Sequence, residues 1–477
     1  MRIRKLLSDS AVYGITGYLT IISGILLTPL YTRMFTKEEY GIMDLFNTWN
    51  TFATGIIPLG LISAILRFYP DFSQDKENKK KNLGTILSTV LILSLFYVLI
   101  MIFAKNYFIS YVKDDNLNEI YFHSLFLVAS GLIFSYITTV LQTKFQKFRY
   151  MFITIINFLI LSSLGFIFVY NFNMRLEGFY RAASLSMIIT LLIGCFLIKN
   201  ELYFSFDKSI LKQLLSYSLP LLSVFFLFQA TNIIDRILIM EFGNLKDVGT
   251  FTIGTKISGI IRIIFTAFAT AWFPLAMSIK NNENAKETYK KIHNVFFLCG
   301  LIITSGLFLF RKELLLFFAP DYFDSYNIIG ILGLYNFVST SIYIYSLGLH
   351  IKNQTKYLTY SAIISIVANV IFSILFIYLL GVDGIAWGSL IGGTIWVLSQ
   401  LYYSQKYYYI KFNHSISIAS MCLLIPLLFF TSSFDLFLGP NLFFGIIIKL
   451  ISILVLCITL YFMIRKFQLF DFLLIKK

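Results

Sequence analysis

Residues 83–104 read LGTILSTVLILSLFYVLIMIFA, a stretch without a charged side chain. Lys79, Lys80 and Lys81 come shortly before it, and Lys105 follows it directly. About 20 apolar residues in a helix span the hydrocarbon core of a bilayer, so this stretch predicts a transmembrane helix. The three lysines are then anchors beside anionic lipid headgroups.

The same pattern recurs along all 477 residues, of which 58% are hydrophobic and 13% charged, with a mean hydropathy of +0.78. Soluble domains carry about 25% charged residues, so a soluble fold is excluded. The apolar runs are continuous and of helical length, which argues against a β-barrel. They predict an all-α polytopic membrane protein with about fourteen transmembrane helices, at 11–33, 41–69, 83–104, 119–141, 151–171, 179–198, 213–242, 248–279, 292–310, 328–349, 357–380, 385–403, 415–434 and 442–464.

Lysine and arginine in the predicted loops indicate the orientation, because cytoplasmic loops carry an excess of both. With the N-terminus inside, the inner segments hold 25 of these residues and the outer segments hold 9. Both termini are therefore predicted to be cytoplasmic. The same bias explains most of the net charge of +15, so nucleic acid is not expected as a partner.

The two halves of the chain repeat at an offset of about 207 residues. Residues 39–41 (Glu-Tyr-Gly), where the second predicted helix begins, match residues 247–249 (Asp-Val-Gly), where the eighth begins. Two further matches have similar offsets: Gln146 with Gln354, and Glu177-Gly178 with Asp383-Gly384.

Six helices per repeat is an even number, so both copies should cross the membrane in the same sense, related by a pseudo-twofold axis along its normal. We expect a lobe of six helices at 1–200 and another at 210–404, around a cavity lined by predicted helices 1, 2, 7 and 8. Residues 405–477 would add helices 13 and 14 and a cytoplasmic tail.

Three stretches resemble one family of transporters. Residues 29–41, PLYTRMFTKEEYG, resemble the opening signature of bacterial polysaccharide repeat-unit flippases of the O-antigen and capsule type. NIIDR at 232–236 followed by VGTF at 248–251 resembles their seventh and eighth helices, and DGIAWG at 383–388 is similar to the start of their twelfth. The resemblance covers nearly the whole chain and places it in the multidrug/oligosaccharidyl-lipid/polysaccharide (MOP) exporter superfamily.

This resemblance implies a flippase of the bacterial inner membrane. It would move undecaprenyl-diphosphate-linked oligosaccharide from the cytoplasmic to the outer leaflet by alternating access, for O-antigen, capsule or exopolysaccharide synthesis. Membrane lipids, a polysaccharide polymerase and glycosyltransferases are the expected neighbours. Two alternative functions remain. Fourteen transmembrane helices resemble the lipid II flippases, and a multidrug exporter of the MATE type is the other alternative.

Enzymes and scaffolds fit the sequence less well. A membrane glycosyltransferase or polymerase generally needs a large extramembrane loop, and the longest predicted loop is 311–327. The internal repeat and the cations inside predicted spans argue against a scaffold. The cysteines and histidines have no metal-ligand spacing, so we predict no catalytic residue, metal or cofactor.

Cations inside predicted spans are the first candidates for a substrate site. A cation at the bilayer centre costs at least about 2.5–3.5 kcal/mol, so Lys256 and Arg262 should face protein or water. Counting about 1.5 Å per residue from the outer end puts Arg262 near the midplane. Arginine binds phosphate in bidentate fashion and stays charged when desolvated, which favours contact with the substrate's pyrophosphate.

An ion pair is the alternative for Lys256, because Asp235 in the seventh predicted helix has a similar depth. Arg236 would then point elsewhere on that helix, and Arg67, near an inner end, would reach towards the headgroups. Both arginines remain candidate substrate contacts. Asp235 and Asp44 are candidates for ion pairing or coupling, although neither lies mid-membrane as a drug antiporter would require.

Polar side chains in the second predicted helix are candidates for a sugar-compatible cavity, above all Asn47 and Asn50. Asn157 and Asn369 occupy related positions in the fifth and eleventh predicted helices. Hydrogen bonding between helices is an equally good explanation for such residues.

Overall fold

The structure is a computed structural model that describes residues 24–25, 27–72, 75–112, 117–438, 449 and 452. Over these residues the chain is helical and has no β-strand. Eleven helical segments of the described chain are long and apolar enough to cross a membrane. The prediction of an all-α polytopic membrane protein is confirmed. Most of predicted helices 1 and 14 lies outside the described residues.

The described residues fall into two compact units that divide between Arg236 and Ile237. The predicted boundaries at 200, 210 and 404 remain predictions. The helices up to this division are α1 Thr28–Met34, α2 Lys37–Ile56, α3 Leu61–Phe72, α4 Lys76–Val112, α5 Asn118–Thr143, α6 Lys147–Phe166, α7 Arg175–Leu197 and α8 Lys208–Phe242, which crosses it.

The helices of the second unit follow without long connections. They are α9 Leu245–Ser278, α10 Ala285–Phe318, α11 Tyr326–Thr340, α12 Ile342–Tyr345, α13 Leu347–Ile351, α14 Lys356–Leu380, α15 Asp383–Tyr407 and α16 His414–Leu438. A π-helical turn at Ile167–Asn171 extends α6, and 3₁₀ turns occur at Lys199–Glu201 and Pro320–Ser325.

The repeated acidic residues of the two halves begin α2 and α9 in the same way. The Thr36 hydroxyl accepts a hydrogen bond from Glu39 N, and Thr36 N donates to the Glu39 carboxylate. At the start of α9, Asn244 and Asp247 exchange the equivalent bonds. Both are capping boxes, which satisfy backbone donors that a helix start leaves free. This part of the repeat is therefore a shared helix-start signal.

The second predicted helix, 41–69, is interrupted. Pro58 has no N–H to donate, and Leu59 and Gly60 have φ values of 51° and 73°, so α2 ends at Ile56 and α3 starts at Leu61. The Ser218 hydroxyl donates to the carbonyl of Leu59 at 2.7 Å and satisfies an acceptor exposed by the break.

The loop predicted at 311–327 is wrong, because α10 continues to Phe318. Arg311, which we expected in that loop, is fully buried. Its guanidinium carbon lies 3.9 Å from the ring centroid of Tyr326, and Nη2 donates to Leu428 O and Thr431 Oγ1, both at 3.1 Å. An aromatic face and two oxygens offset the cost of burying the cation, and they attach α16 to α10.

The asparagines predicted at related positions have a structural role in both units. Asn157 in α6 donates to Ser186 Oγ at 3.1 Å and to Thr190 Oγ1 at 3.0 Å. Asn369 in α14 donates to Ser389 Oγ at 3.1 Å. Each asparagine therefore joins two neighbouring helices, as the second explanation predicted.

Candidate functional site

In the first unit, α2 and the turn that follows it contact α8 at four levels. Residue numbers rise along α2 and this turn while they fall along α8, so the two helices run antiparallel. The four contacts are the Asp44–Arg236 ion pair, the Phe52 and Phe226 rings with centroids 5.9 Å apart, the Phe225 ring over Gly55, and the Ser218 bond to Leu59.

Asp44 and Arg236 form a buried ion pair at the level nearest the start of α2 and the end of α8. Arg236 Nε donates to Asp44 Oδ2 at 2.9 Å, and the two side chains are 13% and 9% exposed, the arginine being the more buried. Solvent screens a buried ion pair little, so each charge is stabilised mainly by the opposite charge of its partner. The sequence singled out both residues and did not predict that they pair.

A patch of uncharged polar side chains lies between the ion pair and the phenylalanine pair. Asn47 and Thr51 are exposed on α2, and Gln229 and Asn232 are half-buried on α8. Asn232 Nδ2 donates to Gln229 Oε1 at 3.2 Å. Asn50 lies elsewhere on α2, where its Oδ1 accepts a hydrogen bond from Ser124 Oγ at 2.7 Å. The two predicted cavity residues therefore differ, and only Asn47 belongs to this open polar patch.

In the second unit, α9 presents an open polar face. Arg262 is exposed and lies midway between Leu245 and Ser278, the two ends of the helix. Four other residues of this face follow at helical spacing, namely Thr255, Gly259, Thr266 and Thr270. The face is open at Gly259, where an added Cβ would meet no atom within 4 Å.

The polar faces of α2 and α9 occupy related positions in the repeat. At the offset that relates the two capping boxes, Asn47 corresponds to Thr255, Thr51 to Gly259 and Thr54 to Arg262. Exposed polar groups in a membrane-spanning helix are costly unless they face water or protein. The repeat therefore carries a partly exposed polar face in both copies, with an arginine only in the second.

The remaining predicted site residues have other surroundings. Arg67 is exposed and its Nη1 lies 3.2 Å from Asp71 Oδ2 on the same helix, also exposed. Lys256 is half-buried and Asp235 is buried; their pairing stays a prediction. Among the described residues, no three His, Cys, Asp or Glu side chains are grouped to hold a metal ion.

Solved structures with this arrangement of helices are membrane transporters. The lipid II flippase MurJ, in an inward closed conformation, is similar with a TM-score of 0.72 and 17% identity over 96% of this chain and 99% of that one. An inward-facing multidrug resistance MATE family transporter of the MOP superfamily is similar with a TM-score of 0.68 and 18% identity, over 81% and 93%. At these identities the likeness shows the fold, which is that of the MOP superfamily.

A comparison of the sequence with family profiles makes the identification more specific. The profile of a family described as polysaccharide biosynthesis protein matches residues 6–280, more than half of the chain. The chain belongs to that family, which confirms the predicted MOP-type relationship. A search of curated proteins found no match.

Proposed function

We propose that the protein moves an undecaprenyl-diphosphate-linked oligosaccharide from the cytoplasmic to the outer leaflet of a bacterial inner membrane by alternating access. Membership of the polysaccharide biosynthesis family and the MOP fold support a flippase or exporter. Transport of this kind needs a polar face along membrane-spanning helices, and α2 and α9 each carry one. The proposed role is transport and involves no catalysis.

The observation that carries the proposal is Arg262. A guanidinium exposed halfway along a membrane-spanning helix would cost several kcal/mol against lipid, and among the described residues it forms no ion pair. A pyrophosphate supplies the missing negative charge, and its oxygens match the fork of guanidinium donors. Arg262 is therefore assigned to the pyrophosphate.

The test is transport by purified protein in liposomes together with export of polysaccharide in cells. Arg262→Ala should lower transport at least tenfold, since a charge-assisted hydrogen bond contributes about 1.5–3 kcal/mol. Arg262→Lys should recover part of it, because lysine keeps the charge without the planar fork. Arg149→Ala, which removes an exposed arginine near the start of α6, is the matched control. An Arg262→Ala variant that is well expressed and fully active would end this assignment.

A lipid II flippase is the second candidate, favoured by the similarity to MurJ over nearly the whole of both chains. Rescue of cells that lack their lipid II flippase would select it over an oligosaccharide flippase. A drug exporter is less well supported, because the intramembrane Asp44 is already paired with Arg236. Glycosyltransferases and a polymerase are proposed as functional partners, since they make and consume a lipid-linked oligosaccharide.

A further inference from the structure

We infer that the uncharged patch of Asn47, Thr51, Gln229 and Asn232, with the ring of Phe226 beside it, binds the saccharide portion of the transported lipid. The inference rests on the proposed function and deepens it. It assigns recognition of the sugar to side chains of α2 and α8 in the first unit.

The α2 side of the patch is open, because Asn47 and Thr51 are exposed. Structural asparagines in this protein, such as Asn50, Asn157 and Asn369, hydrogen-bond to a hydroxyl on a neighbouring helix. The Asn47 side chain is exposed and makes no such bond among the described residues. An amide facing hydrocarbon would lose its hydrogen bonds to water, so Asn47 must face water or a polar ligand.

The charge of the patch selects among polar ligands. The cation at one end of the patch, Arg236, is already bonded to Asp44, and the four patch residues are neutral. Between these levels, α2 and α8 carry no lysine or arginine to bind a pyrophosphate with about two negative charges. A cationic drug would find the Asp44 carboxylate paired with Arg236 and the Asp235 side chain buried. A neutral, hydroxyl-rich group avoids both problems.

The donors and acceptors match a sugar. Primary amides offer two donors and an acceptor in one plane, and sugar hydroxyls both donate and accept. The Thr51 hydroxyl donates to Asn47 O at 2.8 Å, which leaves its oxygen lone pairs to accept from a ligand. Phe226 is 48% exposed and its ring packs against Phe52, so it offers an apolar surface to the C–H face of a pyranose ring.

The register of the helices brings these groups to one place. Asn47 and Thr51 lie between the levels of Asp44 and Phe52 on α2, and Gln229 and Asn232 lie between the levels of Arg236 and Phe226 on α8. The antiparallel contacts at both ends therefore hold the four polar side chains at matching heights, over a length of about 10 Å. That length suits one or two sugar residues.

The test compares two probes with the full-length protein in nanodiscs: undecaprenyl diphosphate, and the same lipid carrying the repeat unit made by the native host. The wild type should bind the sugar-bearing lipid at least tenfold more tightly. Asn47→Ala with Gln229→Ala should reduce this preference about fivefold for each hydrogen bond lost, with affinity for undecaprenyl diphosphate unchanged. Arg262→Ala should lower the affinity for both probes by the same factor.

Thr51→Val keeps the side-chain shape and tests the patch even where the double variant folds poorly. Asn82→Ala, at an asparagine that bonds only within α4, is the matched control and should keep the preference. An undiminished preference in the folded patch variants, or equal wild-type affinity for both probes, would overturn the saccharide assignment while the flippase proposal stands. Wild-type protein that binds neither probe would refute the proposed function itself.

Discussion

Arg236 donates to Asp44, 192 residues earlier in the chain, at 2.9 Å. Asp44 lies two helical turns from the start of α2 at Lys37, and Arg236 lies nearly two turns from the end of α8 at Phe242. Both are therefore about 10 Å from their helix ends, so the pair forms between equal depths. It sets the register of α2 and α8 on which the uncharged patch depends.

Removing one member of this pair should destabilise the protein strongly. Asp44→Asn leaves a buried guanidinium without its counter-charge, and breaking a buried pair costs about 3–5 kcal/mol. Thermal unfolding in detergent should show a clearly lower Tm. The double variant Asp44→Leu with Arg236→Met should recover most of the loss, because apolar residues of similar volume replace such pairs well. An Asp44→Asn protein as stable as wild type would contradict the pairing.

The break between α2 and α3 should not tolerate a side chain at Gly60. Its φ of 73° is unfavourable for other residues, and an added Cβ would lie 2.8 Å from the backbone oxygen of Ser218. Gly60→Ala should therefore lower the free energy of unfolding by about 1–3 kcal/mol. Gly306→Ala is the control, since its Cβ would meet nothing within 4 Å and alanine favours a helix. Equal Tm values for the two variants would show that a side chain at position 60 causes no backbone strain.

The predicted orientation can be measured at two exposed positions, Lys80 and Asp321. In a variant whose native cysteines are replaced by serine, a membrane-impermeant maleimide should label Asp321→Cys in intact cells. Lys80→Cys should be labelled only after lysis, because its lysine-rich segment is predicted to be cytoplasmic. Labelling of both positions from outside would show that the predicted topology is wrong.

Transport should respond to the membrane potential. Moving two negative charges outwards across an inside-negative membrane releases roughly 4.6 kcal/mol per 100 mV, which drives export without a counter-ion. In proteoliposomes, a potassium diffusion potential of this sign should accelerate transport of the sugar-bearing lipid, and the opposite sign should slow it. Transport that ignores the potential and stops without a Na⁺ or H⁺ gradient would contradict this prediction.

Sequence alone determined the features that depend on neighbouring residues. Apolar runs long enough for a bilayer predicted the helices. One repeated acidic pair, Glu39 and Asp247, proved to belong to capping boxes, because helix starts are decided within one turn. The helix break at Pro58 and Gly60 also depends on neighbouring residues. It was not predicted, because the apolar run at 41–69 is long enough for one continuous helix.

Tertiary structure decided which side chains meet and which remain open. Asn47 and Asn50 lie one turn apart on the same helix, and only the packing of α5 against α2 satisfies Asn50 and leaves Asn47 exposed. Arg311, predicted in the loop 311–327, is buried because Tyr326 and α16 enclose its guanidinium group. Contacts between residues far apart in sequence set the environment of each polar group, and hydropathy along the chain carries no record of those contacts.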